Sequence, residues 1–163
     1  MKNGILKYNQ DMVHFLKEGD IFSLKGVSSY AHGCNCAGAM GKGIALQFRN
    51  RYPAMYKEYK LLCQCGRFNP GDVFDFNYGE GYVYNLATQV SWRTQAKIEY
   101  IRKALNMMCK LAVSQNVKSI ALPAIGAGLG GLHWDEVKVV IKDISLLYST
   151  VDLYVVETYR AKV

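Results

Sequence analysis

The sequence contains no apolar run that approaches the roughly 18 residues needed to cross a bilayer. Residues Met1 to Gln10 also lack the apolar core of a signal peptide. Low-complexity stretches are absent, and hydrophobic residues make up 50% of the chain, which argues against disorder. We therefore expect a single globular domain over residues 1–163 that works in the cytoplasm, as a monomer and without a membrane partner.

The five cysteines lack the C-x2-C spacing of the usual zinc knuckle. Cys34 with Cys36, and Cys63 with Cys65, form two C-x-C pairs that could in principle hold zinc together. Free, buried thiols in a reducing compartment are the preferred interpretation. We expect no metal site, and the sequence indicates no cofactor.

Acidic residues are scarce, with 13 against 20 lysines and arginines, which gives a formal charge of +7. Many of the cations fall in two helix-like segments, Lys42 to Arg67 and Arg93 to Lys118. Such a surplus raises the association rate with polyanions such as nucleotides, DNA or RNA. A solvated surface that keeps the protein in solution is the competing explanation.

Short strand patterns alternate with amphipathic helix patterns along the chain, and Thr94 is expected to cap the longest helix. This order predicts an α/β protein, a three-layer α/β/α domain whose central mixed sheet has about six strands. Predicted strands cover 4–9, 12–17, 28–32, 72–76, 82–86, 118–122 and 151–157, and predicted helices cover 44–52, 54–64, 95–115 and 135–148.

Two glycine-rich loops each follow a predicted strand and precede a predicted helix. The first glycine loop, Gly33 to Gly43, contains the polar Asn35, and the second glycine loop, Pro123 to Trp134, reads PAIGAGLGGLHW. Glycines leave backbone N–H groups accessible, so such a loop can bind a diphosphate. A tight strand-to-helix turn explains either loop alone, but two loops at strand ends favour one ligand cleft.

Four motifs in order make this chain similar to the macro domain family, whose members bind ADP-ribose. They are Gly19-Asp20, HGCNCAGAMGKGIA from His32 to Ala45, NLAT from Asn85 to Thr88, and the second glycine loop. The short first loop that ends in MGKGIA resembles the branch of terminal ADP-ribose protein glycohydrolase and the DNA ADP-ribosyl glycohydrolase antitoxins. Its H-x-C-N-C piece also resembles the ADP-ribose-1''-phosphate phosphatase.

The resemblance implies that adenine lies at Asp20, the distal ribose at the first glycine loop and the diphosphate at the second. Helix capping is the alternative role for Asp20. The implied ligand-binding residues are Asp20, Ile21, Asn35, Met40, Gly41, Lys42, Gly43, Ile44, Thr88, Gln89, Pro123, Ile125, Gly126, Ala127, Gly128, Leu129, Gly130, Gly131 and Leu132.

The resemblance also implies a hydrolase, although two positions depart from the glycohydrolases. Gln89 stands where those enzymes use a lysine, and Gly130 stands where the protein glycohydrolase uses an acid. Removal of a phosphate from the distal ribose, which needs donors and a positioned water, is more compatible with this chain. The catalytic candidates are His32 and Asn35, with His133 as a weaker one.

Structural roles compete with these assignments, since His32 can be a packed strand residue and His133 a helix cap. A domain that binds ADP-ribose without turnover is a further alternative. Removal of ADP-ribose from nucleic acid or protein is another. Trp92 and Arg93, together with the basic helices, could contact nucleic acid by stacking and by charge.

Overall fold

A computed structural model describes residues 12–163. Six strands and four helices alternate along this part of the chain, with a short 3₁₀ turn at Ile21–Ser23. The predicted strand at 4–9 lies outside the described residues. The elements are β1 Val13–Gly19, β2 Tyr30–Asn35, α1 Gly43–Arg51, α2 Pro53–Gln64, β3 Val73–Asn77, β4 Tyr82–Gln89, α3 Ile98–Ser114, β5 Ser119–Pro123, α4 Trp134–Ser145 and β6 Asp152–Tyr159.

The strands form one sheet in the order β1-β6-β5-β2-β4-β3. All neighbouring strands run parallel except β3, which pairs antiparallel with β4 through the predicted hairpin. The sheet is therefore mixed, with β1 and β3 at its edges. This arrangement confirms the predicted α/β class and the six-stranded mixed sheet.

Helices cover both faces of the sheet, because the central strands are apolar on both sides. One face packs against α3 and α4 through a core that includes Leu105, Met108 and Ile141. The other face packs against α1, α2 and the 3₁₀ turn through Ile21, Phe48 and Met55. None of the helices in residues 12–163 combines the length and apolar character needed to cross a bilayer.

The helix boundaries follow the expected breakers, with one correction. Pro53 ends α1 and occupies the first turn of α2, where its missing N–H costs nothing. Thr94 does not cap α3, which begins at Ile98 after Lys97. The Thr94 hydroxyl instead accepts the Ser91 N–H at 3.0 Å and closes a turn after β4, so its bonding capacity is used before the helix begins.

His32 lies inside the packed layer between the sheet and α1. Its ring is fully buried and stacks on Phe48, with centroids 4.0 Å apart and planes 10° from parallel. Its Nε2 is 2.6 Å from Asn85 Oδ1. Burial lowers the pKa of His32 to about 4, so the ring stays neutral at pH 7. This position favours the structural role for His32 over proton transfer in a solvent-accessible cleft.

The buried imidazole predicts a loss of stability in mild acid. Its pKa is about 4 in the folded state and about 6.5 in the unfolded chain. The stability of the fold is therefore unaffected by His32 protonation above about pH 6.5. It falls as the pH drops from there toward 4, because the unfolded chain binds a proton at His32 that the folded chain does not. We expect about 2 kcal/mol of this loss between pH 7 and pH 5, measured by urea unfolding at each pH. His32→Gln should remove most of that pH dependence, whereas His133→Gln, at an exposed position, should retain it.

Candidate functional site

The carboxyl ends of β2, β4 and β5 lie next to one another, because these strands are parallel neighbours. The first glycine loop leaves β2, and the second leaves β5. Crevices outside the carboxyl ends of parallel strands are the usual ligand sites of α/β sheets. The two loops predicted from sequence therefore lie at the same end of the sheet, the carboxyl end of its parallel strands.

Close backbone packing explains the glycines of the second loop. Gly126 and Gly131 have positive φ angles of 74° each. Gly130 has another reason to be glycine, since a Cβ there would lie 2.7 Å from Gly126 O and 3.0 Å from the Ala96 Cβ. By contrast, a Cβ on Gly128 would meet no atom within 4 Å. A side chain at position 130, including the acid of related enzymes, would thus displace the loop.

Consecutive backbone donors in the second glycine loop are free to bind an anion. Leu132 N–H and Gly131 N–H close the loop onto Gly126 O and Gly128 O, at 2.9 and 3.2 Å. Gly128, Leu129 and Gly130 donate no N–H hydrogen bond to any other residue between 12 and 163. Successive unpaired N–H groups attract phosphate oxygens. These three N–H groups are therefore unpaired within residues 12–163, and a diphosphate site at this loop stays a prediction.

The two glycine loops approach each other at Leu129 and Gly43. A Cβ on Gly43 would lie 3.6 Å from Leu129 Cδ1, and the Leu129 side chain is otherwise 72% exposed. Gly41 and Lys42 are also exposed beside this contact. Eight of the predicted ligand-binding residues are buried: Ile21, Asn35, Met40, Thr88, Gln89, Pro123, Ile125 and Gly130.

Asn35 holds the first glycine loop in shape. Its Oδ1 accepts the N–H groups of Ala37 and Ala39 at 3.0 and 3.3 Å, and its Nδ2 donates to Ala39 O at 2.8 Å. The Tyr59 hydroxyl is 2.9 Å from the same Oδ1. The amide oxygen is therefore fully engaged, and one N–H of the amide remains for a ligand.

Gln89 lies beside Asn35, its partner in the β2–β4 register. Its Nε2 donates to Ser91 O at 2.8 Å and to Thr94 O at 3.2 Å, so both amide hydrogens organise the loop after β4. Gln89 is the last residue of β4, next to the first glycine loop, and its contact with a ligand stays a prediction. Its amide has no nucleophilic or cationic character to contribute there.

Asp20 caps the 3₁₀ turn, as the structural alternative predicted, with its Oδ1 2.9 Å from Phe22 N. Its Oδ2 accepts the Lys162 N–H at 2.9 Å. Burial acts to raise the pKa of Asp20. These two hydrogen bonds, a hydrogen bond with the Ser23 side chain and the charge of Arg51 together outweigh burial, so the pKa lies below its ordinary value. The carboxylate is therefore charged at pH 7 and keeps lone pairs for an amine donor.

Sequence reasoning missed Tyr159, the last residue of β6. Its ring is half-buried and lies 6.2 Å from the Phe22 ring. Burial raises the pKa of Tyr159, and the charge of Asp20 raises it further. An aromatic face thus lies near the Asp20 carboxylate, where a flat heterocycle could stack. An aromatic residue at the end of the last predicted strand was the available signal.

The remaining candidates lie at the margins of the site. His133 is exposed at the start of α4 and makes no capping hydrogen bond with its side chain. Burial raises the pKa of the Cys36 thiol to about 12, which keeps it protonated. All five cysteines are free, and residues 12–163 contain no group of three or more His, Cys, Asp or Glu arranged to hold a metal.

Trp92 and Arg93 form an exposed platform in the loop after β4. Trp92 is 61% exposed, and the Arg93 guanidinium carbon lies 4.6 Å from its ring centroid. Stacking of this kind preorganises a flat surface that carries one positive charge. The turn that carries the platform is bonded to Gln89, whose Nε2 donates to Ser91 O and Thr94 O on either side of it.

Comparison with known proteins gives a consistent assignment. The model of the family described as "Macro domain" matches residues 31–141. A DNA ADP-ribosyl glycohydrolase of Thermus aquaticus is 35% identical over 136 residues, which are 80% of this chain but 38% of that protein. An ADP-ribose 1''-phosphate phosphatase of Meyerozyma guilliermondii is 26% identical over 171 residues, covering 85% of this chain and 96% of that protein.

Solved structures agree with the sequence comparison. The macrodomain of Thermus aquaticus DarG superimposes with a TM-score of 0.82 and 33% identity, covering 90% of this chain and 98% of that one. The macrodomain of Mycobacterium tuberculosis DarG gives a TM-score of 0.81 with 30% identity, covering 93% of this chain and 99% of that one. The family match covers more than half of the chain, from β2 into α4. The chain belongs to the macro domain family.

Proposed function

We propose that the cleft between the two glycine loops binds ADP-ribose. The single observation that carries this proposal is the run of free N–H groups at Gly128, Leu129 and Gly130, opposite the exposed start of α1. A diphosphate is the ligand group that such donors suit best. Asp20 and Tyr159 would receive the adenine amine and ring, and the first glycine loop would hold the distal ribose.

We propose further that the protein hydrolyses ADP-ribose-1''-phosphate. Water attacks the phosphorus of that ester, the P–O bond to the ribose breaks, and a proton passes to the sugar oxygen. This reaction needs donors around the phosphate rather than a lysine nucleophile, so it is compatible with Gln89. The similarity to a phosphatase over 96% of that protein's length supports the assignment. The free N–H of Asn35 and the backbone of Gly41 to Gly43 are the donors we assign.

Binding can be tested by calorimetry with ADP-ribose. Asp20→Ala should weaken binding by about tenfold, because a charged hydrogen-bond acceptor contributes about 1.5 kcal/mol. Asp152→Ala is the matched control, since that carboxylate pairs with His14 near the amino ends of β6 and β1, whereas Asp20 lies at the carboxyl end of β1. Absence of binding to wild type at millimolar ligand would contradict the proposal, as would equal losses in the two variants.

Turnover can be tested by inorganic phosphate release from ADP-ribose-1''-phosphate at pH 7. Asn35→Ala should reduce the rate by about 10²-fold, through loss of one donor and of the loop geometry that it holds. His32→Gln should retain most of the activity, because that ring lies in the core. Binding of ADP-ribose without any phosphate release would identify a domain that only recognises the ligand. Inactivity of folded His32→Gln would restore the proton-transfer role of His32.

A second candidate function is removal of ADP-ribose from nucleic acid, favoured by the exposed Trp92–Arg93 platform beside the cleft and by the name of the Thermus aquaticus relative. Gln89 argues against it in the wild-type chain. Gln89→Lys should fold, because an ammonium can donate to Ser91 O and Thr94 O as the amide does. Release of ADP-ribose from a modified oligonucleotide by this variant, but not by wild type or Gln89→Met, would identify an altered glycohydrolase site.

A further inference from the structure

Positive charge is concentrated on one of the two helical layers. Residues 41–67, which contain α1 and α2, carry six lysines and arginines and a single acid, Glu58. None of the six takes part in an ion pair within residues 12–163. The opposite layer is balanced, since α4 carries Asp135, Glu136 and Asp143, and Arg102 of α3 lies 3.9 Å from Asp143. The net positive charge of the protein therefore lies mainly on the side of the sheet that α1 and α2 cover.

The cations at the junction of α1 and α2 are arranged as a surface. The Arg49 guanidinium carbon lies 4.4 Å from the Tyr56 ring centroid. Lys60 lies four residues after Tyr56 and three after Lys57, so its side chain neighbours both of them on the surface of α2. Arg49, Lys57 and Lys60 are exposed. We call Arg49, Tyr56, Lys57 and Lys60 the α1–α2 basic face.

This face is joined to the first glycine loop. The Tyr56 hydroxyl donates to Gly38 O at 3.3 Å. Lys60 also packs there, with its Cγ 3.5 Å from the position of a Cβ on Gly38. A group that leaves the cleft past the first glycine loop would therefore meet the basic face at once.

We propose that the α1–α2 basic face binds the phosphate backbone of a nucleic acid strand to which the ADP-ribose is attached. The proposal rests on the function proposed for the cleft, because the distal ribose is the end that would carry the strand. Regularly spaced phosphates match several unpaired cations, and a guanidinium held over a ring is preorganised for a phosphate. An anionic membrane would present charge without any relation to the cleft.

The test measures polarisation of a fluorescent, unmodified single-stranded DNA oligonucleotide as salt is raised from about 50 mM to about 200 mM. Lys57→Glu/Lys60→Glu should weaken binding by at least tenfold and lower the salt slope by about one for each lysine removed. Lys110→Glu/Lys118→Glu is the control. It changes the net charge equally at exposed positions of the α3 helix and the start of β5, away from the cleft. Arg49→Ala should weaken binding without reversing any charge.

Equal losses in the two double variants would overturn the proposal, because they would show an effect of net charge alone. Binding of phosphatidylserine vesicles in place of DNA would overturn it as well. Calorimetry with free ADP-ribose separates this inference from the cleft proposal. Lys57→Glu/Lys60→Glu should bind ADP-ribose as wild type does while losing the oligonucleotide. If wild type binds DNA through these lysines but does not bind ADP-ribose, the cleft proposal alone fails.

Discussion

Strand β2 pairs in parallel with both β4 and β5, so the carboxyl ends of these three strands lie side by side at one end of the sheet. The rest of the site depends on this pairing. It places the first glycine loop, Gln89 and the second glycine loop at the same end of the sheet, although they are far apart in sequence. Because β2, β4 and β5 are covered by helices on both faces, the strand ends are held by the whole core and not by the loops themselves.

The polar side chains at the floor of the cleft serve mainly to shape backbone. The Asn35 amide forms hydrogen bonds with the backbone of its own loop, and the Gln89 amide donates to the backbone of the loop that follows β4. The donors left for a ligand are therefore mostly main-chain N–H groups, which are rigid and carry no net charge. The proposed site would contribute to chemistry by stabilising negative charge with these donors.

The positively charged surface of this protein and the proposed diphosphate site lie on different segments. The second glycine loop contains no lysine or arginine, whereas residues 41–67, which contain α1 and α2, carry six of them against one acid and so account for +5 of the formal charge of +7. A diphosphate bound by neutral dipoles can be recognised at high ionic strength, because short hydrogen bonds are little screened. An extended polyanion on the helical face would be salt-sensitive. Binding of the diphosphate and binding of the polyanion can thus be distinguished by their dependence on salt as well as by mutation.

Much of the fold followed from the sequence. Strand and helix periodicity predicted the α/β layers, and glycine spacing predicted both loops, because backbone that must approach a ligand or itself leaves no room for Cβ atoms. The roles of individual polar residues did not follow. Whether His32 faces solvent depends on the ring of Phe48, which comes from another element. The sequence predicts Thr94 as a helix cap, because the hydrogen bond that its hydroxyl accepts from the Ser91 N–H has no distinct sequence signature.

The sequence by itself therefore determined the class of fold, the two glycine loops and the absence of a lysine at position 89. Only the tertiary structure decided that His32 is buried and neutral, that Gly130 is required by the Gly126 backbone, and that Tyr159 lies near Asp20. The physical reason is the range of the interactions. Periodicity and backbone freedom are local properties of a few residues, whereas burial, pKa and ring stacking depend on which distant elements the sheet brings together.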